Sequence, residues 1–196
     1  MKKILLFLFL LNSTLLFAQE EENEKVNETS WSTMAGSMIY FYSQPYNGVN
    51  YSNINTQAVY GVRYNFKKLG KSSVLSASTV PGIGLGFVSS VYGGTKVYIS
   101  FDLPLMLEFH TGLMATPDLY SKSVGFFAGG GMGINYLNKE FFLNNPKSGF
   151  SYGPTVNAGF KINTGRRVLI LRGSYLYNLN SELPDMKGVG ILWAIK

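Results

Sequence analysis

The most constraining feature of the sequence is the segment from Val97 to His110, in which every second residue is large and apolar. Every odd position from 97 to 109 carries valine, isoleucine, leucine or phenylalanine, whereas the even positions include serine, aspartate, glutamate and histidine. In a helix this pattern would scatter the charged residues around the cylinder, but in a strand successive side chains point to opposite faces. The segment therefore predicts a β-strand with one wholly apolar face.

The same alternation recurs in seven further segments, so the sequence predicts eight antiparallel strands. The predicted strands span residues 34–43, 57–66, 82–87, 97–110, 124–136, 152–162, 169–178 and 188–195. Glycine occurs 22 times and often occupies the face opposite the apolar one. Because a glycine costs a helix interior about 1 kcal/mol, this composition argues against a helical bundle. A length of 196 residues fits one all-β domain.

The composition of the second face predicts which side of the sheet points outward. A soluble barrel directs its apolar face inward and covers its exterior with lysine and glutamate, but this chain is only 14% charged, against about 25% in an average soluble domain. Small polar residues suit the concave side of a narrow closed barrel, and an apolar exterior suits lipid. We therefore expect an eight-stranded transmembrane β-barrel of the outer-membrane type. A secreted soluble barrel that binds an apolar ligand is the alternative.

The N-terminal residues are typical of an exported protein. Two lysines at positions 2 and 3 precede the apolar run 4–11, which predicts a signal peptide spanning residues 1–18 with cleavage after Ala18. Residues 19–30 carry five glutamates and are expected to form a disordered acidic tail. The barrel domain is then residues 31–196.

The lengths of the connections between the predicted strands indicate a topology. Four connections, at 44–56, 89–95, 138–150 and 179–187, are expected on the outer side of the membrane. The inner connections are 67–72, 111–122 and 163–166, of which the middle one is longer than expected for an inner turn.

Three parts of the sequence together resemble a known family. They are the signal peptide that ends Phe17-Ala18-Gln19, the segment 102–112 and the glycine-rich segment 124–133. These resemble the small outer-membrane β-barrel domain proteins (porin-like, PorT-like) of Gram-negative bacteria. Many such barrels end in an aromatic residue that the insertion machinery recognises, whereas this chain ends in Lys196 and has Trp193 nearby. The resemblance implies contacts with outer-membrane lipids, lipopolysaccharide and the outer-membrane insertion machinery, and it carries no catalytic signature.

The sequence offers few candidates for chemistry. Gly70-Lys71-Ser72 resembles the end of a phosphate-binding loop, but Asn65 stands where that motif requires glycine. The chain has no cysteine and a single histidine, His110, so we expect no metal site and no cofactor. Its basic residues are dispersed, which argues against nucleic acid as a partner. Lipid A-modifying outer-membrane enzymes use a histidine, but His110 is expected at the inner end of its strand, so we predict no catalytic residue.

The parity of the strands places six ionisable residues on the face that lines the barrel interior. They are Arg63, Asp102, Glu108, His110, Lys161 and Arg172. Because unpaired buried charges are costly, Asp102 and Glu108 are predicted to pair with cations from other strands and close the interior. The sequence thus favours a non-enzymatic structural or interaction role in the cell envelope. The alternatives are a lipid A-modifying enzyme or a small solute channel, and the partner of the outer loops is not indicated.

Overall fold

The computed structural model describes residues 30–46, 49–89, 95–115, 122–138, 149–180 and 184–195. The signal peptide predicted at 1–18 and nearly all of the predicted acidic tail lie outside these ranges. The described strands are β1 (Ser30–Tyr46), β2 (Val49–Lys68), β3 (Ser73–Thr79), β4 (Gly82–Ser89), β5 (Thr95–Gly112), β6 (Val124–Leu137), β7 (Gly149–Asn163), β8 (Val168–Leu176) and β9 (Met186–Ile195). Among the described residues, no helix is long and apolar enough to cross a membrane.

The strands form one antiparallel sheet that closes on itself. Strand β9 pairs with β1, with Met38 opposite Gly190 and Thr33 opposite Ile195, so the last strand meets the first. Strands β3 and β4 follow each other along the same gap between β2 and β5 and together form one interrupted strand. The ring therefore has eight strands around it, which confirms the predicted eight-stranded antiparallel barrel.

The interruption of the third strand lies at Val80 and Pro81, between the end of β3 and the start of β4. Proline has no amide hydrogen to donate to a ladder, although the carbonyl of Pro81 still accepts a hydrogen bond of 3.1 Å from the amide of Tyr60. The sequence pattern predicted strand only at 82–87, so the segment before the proline is a strand that the pattern missed.

The first hairpin is longer than predicted. The connection expected at 44–56 is wrong, because β1 continues to Tyr46 and β2 begins at Val49, with these two residues paired. The sequence between them is Asn47-Gly48, a dipeptide that favours a two-residue hairpin turn. The short connections predicted at 67–72 and 163–166 agree with the strand ends at Lys68 and Asn163.

Burial alternates along the strands and separates an apolar exterior from a filled interior. On β5, Leu105 and Leu107 are 60% and 62% exposed, whereas their neighbours Met106 and Glu108 are buried. The apolar face therefore points out of the barrel.

Glycines on the interior face leave space for large side chains on adjacent strands. A Cβ atom at Gly86 would lie 2.0 Å from the Tyr98 ring, and one at Gly190 would lie 2.1 Å from the sulfur of Met38. Similarly, a Cβ atom at Gly159 would lie 2.5 Å from the ring of Phe127. The small residues of the second face thus make room for tyrosine, methionine and phenylalanine inside the barrel.

Candidate functional site

The structure places all six predicted ionisable residues inside the barrel, and all six are buried. They come from four strands: Arg63 from β2; Asp102, Glu108 and His110 from β5; Lys161 from β7; and Arg172 from β8. Their side chains are brought together because each occupies an inward-facing position of its strand. Asp102 also faces inward, but it contacts Tyr40 and none of the other five ionisable residues within salt-bridge distance.

Glu108 is the centre of a buried hydrogen-bonded cluster. Its Oε1 accepts hydrogen bonds from Arg172 Nη2 at 2.9 Å and from Asn157 Nδ2 at 2.6 Å, and its Oε2 lies 3.0 Å from His110 Nε2. Because the Glu108 side chain is 1% exposed, its carboxylate has lost its hydration, and the ion pair with Arg172 compensates that loss. The predicted pairing of Glu108 with a cation from another strand is therefore present between β5 and β8.

Hydrogen bonds to both ring nitrogens assign the tautomer of His110. Its Nδ1 lies 3.1 Å from Arg63 Nη1, and because an arginine nitrogen can only donate, Nδ1 must accept. The ring proton therefore resides on Nε2, which donates to Glu108. Arg63, His110 and Glu108 form a continuous hydrogen-bonded chain in which both imidazole nitrogens are engaged.

Phe127 supports this cluster from β6 and was not singled out by the sequence patterns. Its ring stacks on the imidazole of His110 with the centroids 5.4 Å apart, and the guanidinium carbon of Arg172 lies 5.5 Å from the phenyl centroid. The ammonium of Lys161 lies 6.0 Å from the same centroid. An aromatic face attracts cations, so Phe127 helps to hold two positive charges in the interior. Phe127 has the same parity as Gly125 and Gly129, and this parity indicates that its side chain faces the interior.

The connection after β5 enters the barrel and contacts the same cluster. Leu113, Met114 and Ala115 are all buried, and Met114 has a φ of 56°, a conformation uncommon outside glycine. The carbonyl of Met114 accepts hydrogen bonds from Arg63 at 2.7 Å and from Lys161 at 3.5 Å. This turn covers the end of the interior where Ser30 and Ile195 lie. Its unusual length in sequence was the one sign that it does more than connect two strands.

Asp102 does not form the predicted ion pair. Its Oδ2 accepts a hydrogen bond of 2.9 Å from the hydroxyl of Tyr40, and it makes no salt bridge among the described residues. Arg172 lines the same small cavity as Asp102 but directs its Nη2 toward Glu108. Glu108 thus contacts a cation from another strand and Asp102 does not, because the Nη2 of Arg172 on β8 is directed toward Glu108.

The cavity beside Asp102 separates the charged cluster from a second polar layer. Its volume is about 20 Å³, which is enough for about one water molecule. On its far side, Gln57 Nε2 donates to Ser100 Oγ at 2.9 Å, and the hydroxyl of Tyr42 lies 3.5 Å from Asn135 Oδ1. These side chains are buried as well. Layers of packed side chains thus fill the described length of the interior.

Comparisons with known proteins give matches in structure but not in sequence. No protein-family model and no curated protein matches the chain. Among solved structures, the outer membrane protein OprG from Pseudomonas aeruginosa matches with a TM-score of 0.44 and 10% identity, over 88% of this chain and 96% of that one. The attachment invasion locus protein Ail of Yersinia pestis matches with a TM-score of 0.44 and 16% identity, over 85% and 96%.

A third match is the outer membrane enzyme PagL, with a TM-score of 0.46 and 13% identity, over 85% of this chain and 99% of that one. At these identities and TM-scores, no activity and no partner carries over to the chain described here.

Proposed function

We propose that this chain is an integral protein of a bacterial outer membrane whose closed barrel anchors it there, without catalysis and without passage of solute. The observation that carries the proposal is the apolar exterior, which continues around the ring. Side chains more than half exposed are found on β2, β4, β5, β6, β7 and β9: Ile54, Ile83, Leu85, Leu105, Leu107, Met132, Phe160, Val189 and Ile191. Soluble proteins rarely expose a continuous apolar surface of this extent, whereas a hydrocarbon core requires one.

The filled interior supports an anchor over a small solute channel. An eight-stranded barrel has an interior just wide enough for side chains to fill, and here the cluster around Glu108 and the second polar layer around Gln57 and Tyr42 occupy it. The cavity of about 20 Å³ between them is smaller than any hydrated ion.

The environment of His110 supports a non-enzymatic role over a lipid A-modifying enzyme. A general base needs a nitrogen free to accept a proton from a substrate, but Nδ1 accepts from Arg63 and Nε2 donates to Glu108. The imidazole is also buried inside the barrel, away from the lipid-facing surface. This burial supports a structural role for His110 over contact with a membrane substrate.

The strand ends support an orientation. At the end where Ser30 and Ile195 lie, two of the three turns are short, those between Lys68 and Ser73 and between Asn163 and Val168, whereas three of the four connections at the opposite end have five or more residues. Outer-membrane barrels have short periplasmic turns and longer extracellular loops, so the end with Ser30 and Ile195 would face the periplasm. In this orientation outer-membrane lipids and lipopolysaccharide surround the barrel. The proposal also includes export by a cleaved signal peptide, insertion by the outer-membrane insertion machinery, and membership of the PorT-like family.

The test uses the full chain expressed in a Gram-negative host. We expect the protein to require detergent for extraction and to migrate differently on a gel before and after boiling. In planar bilayers it should show no steady conductance, and lipid A from the host should keep its mass. Extraction without detergent would favour the soluble barrel, steady conductance would favour the solute channel, and a changed lipid A mass would favour the enzyme.

A further inference from the structure

The outer wall carries a groove at the end beside the chain termini. It has a volume of about 600 Å³ and is lined by Ala35 and Gly36 of β1, Arg166 and Arg167 of the β7–β8 connection, and Trp193 and Ile195 of β9, among others. This size lies within the range of sites that hold small molecules. The groove is therefore a depression in a surface that otherwise carries large apolar side chains.

The depression follows from the sequence of β1. Ala35 faces outward between Trp193 of β9 and Tyr60 of β2, its partners in the two ladders. Tyr60 is 50% exposed and Trp193 is 38% exposed, so both rings project beyond the short alanine side chain. The surface of the wall is therefore lower at Ala35 than at the two rings beside it.

The mouth of the groove is positively charged and rigid. The amide and the hydroxyl of Thr164 both donate to the carbonyl of Arg167, at 3.0 and 2.8 Å, and Asn163 Oδ1 accepts from the amide of Gly165 at 2.8 Å. Gly165 has a φ of 87°, which favours glycine, so this turn is held in one conformation. It presents the exposed side chains of Arg166 and Arg167 at the groove, and none of the described residues that line the groove is acidic.

We propose that this groove binds one anionic phospholipid of the leaflet that faces the chain termini, which rests on the membrane location proposed above. Arginine forms bidentate hydrogen bonds with phosphate, so Arg166 and Arg167 bind the phosphodiester. Trp193 lies at the depth where indole rings meet lipid headgroups, and one acyl chain packs on Ala35 between the rings of Trp193 and Tyr60. Charge and shape both select a phospholipid, since a free phosphate would use the arginines alone.

The experiment measures lipid binding to the detergent-extracted full chain by native mass spectrometry. The probes are phosphatidylglycerol, phosphatidylcholine and glycerol 3-phosphate. We expect the protein to bind phosphatidylglycerol about tenfold more tightly than phosphatidylcholine, because each basic residue near an anionic headgroup strengthens the attraction. Glycerol 3-phosphate should not compete.

Two variants of the groove have matched controls elsewhere on the barrel. The double variant Arg166→Gln/Arg167→Gln should lose the preference for phosphatidylglycerol, whereas Lys67→Gln/Lys68→Gln removes the same charge at the same end of the barrel and should keep it. Filling the groove with Ala35→Leu should weaken binding of phosphatidylglycerol about tenfold, whereas Ala128→Leu, an outward position on β6, should not.

The outcomes separate the groove from the membrane location. A wild-type protein that shifts on the gel after boiling but shows no preference for phosphatidylglycerol refutes the groove and leaves the membrane location standing. Equal loss of binding in the Lys67 and Lys68 variant shows diffuse charge attraction and also refutes it. Competition by glycerol 3-phosphate indicates a free phosphate site in place of the lipid site, and absence of the gel shift refutes the membrane location itself.

Discussion

Replacing Glu108 with alanine should destabilise the barrel by about 3–5 kcal/mol, the cost of removing one partner from a buried ion pair. The change removes the acceptor for Arg172 Nη2, Asn157 Nδ2 and His110 Nε2, which lie 2.6 to 3.0 Å from the carboxylate. It leaves the guanidinium of Arg172 buried without its carboxylate. The cavity that Arg172 lines has room for about one water molecule, which replaces only part of the lost contact.

A double-mutant cycle tests whether the cost comes from the pair. The variant Arg172→Met should also be destabilising, but Glu108→Ala/Arg172→Met should cost about 2 kcal/mol less than the sum of the two single changes, since neither charge is then left alone. The control is Asp102→Asn, which changes a second buried acid on β5 that makes no salt bridge among the described residues. The asparagine keeps an acceptor for Tyr40, so its effect should be below about 1 kcal/mol.

The free energy of unfolding is measured by urea titration of the barrel in phospholipid vesicles, with Trp193 and Trp31 as fluorescent probes. Additive single-variant effects, with a coupling energy near zero, would show that Glu108 and Arg172 do not act as a pair. A cost for Asp102→Asn equal to that for Glu108→Ala would show that loss of any buried carboxylate has the same effect.

Three further perturbations address the wall of the barrel and its orientation. Leu105→Arg places a charge on the exposed apolar face near the middle of β5 and should cost about 2–4 kcal/mol in the same titration, whereas Leu105→Phe should cost little. Gly131→Ala should cost about 1–3 kcal/mol because its Cβ would lie 1.9 Å from a backbone oxygen, while Gly130→Ala, whose nearest neighbour is 3.8 Å away, should cost nothing measurable. In this cysteine-free chain, a cysteine at Asp185 should react with a membrane-impermeant maleimide on intact cells and one at Lys68 should not; the reverse pattern would invert the topology.

The regular part of the fold could be predicted because one rule governs it. The alternation from Val97 to His110 is set by lipid on one side and a narrow interior on the other, so the type of each residue indicates which face of the strand it occupies. The same rule placed Glu108 and Arg172 in the interior before any register was known. It failed at β3 because the outward face of that strand carries Ser73, Ala77 and Thr79 beside a single leucine, so apolar and polar residues do not alternate there.

Contacts within the interior could not be predicted because they depend on register and on irregular backbone. Parity alone does not say whether Arg172 meets Asp102 or Glu108, since the stagger between β5 and β8 decides it. The turn at Met114 enters the barrel through a left-handed residue that no sequence motif marks. Its carbonyl accepts hydrogen bonds from two of the three interior cations, Arg63 and Lys161, and an analysis of side-chain charge could not predict these contacts.

The proline between β3 and β4 gives the barrel wall a region of lower stiffness. Pro81 separates the two halves of one strand, and Pro104 on β5 falls between the register pairs Thr79–Leu105 and Gly82–Asp102, so two residues without an amide hydrogen lie close together in the wall. Bending the cylinder here stretches fewer hydrogen bonds than elsewhere, although the bond from Tyr60 to the Pro81 carbonyl remains. When the surrounding bilayer thickens or thins, the elastic deformation of the barrel should concentrate at this point and spare the charged cluster nearer the termini.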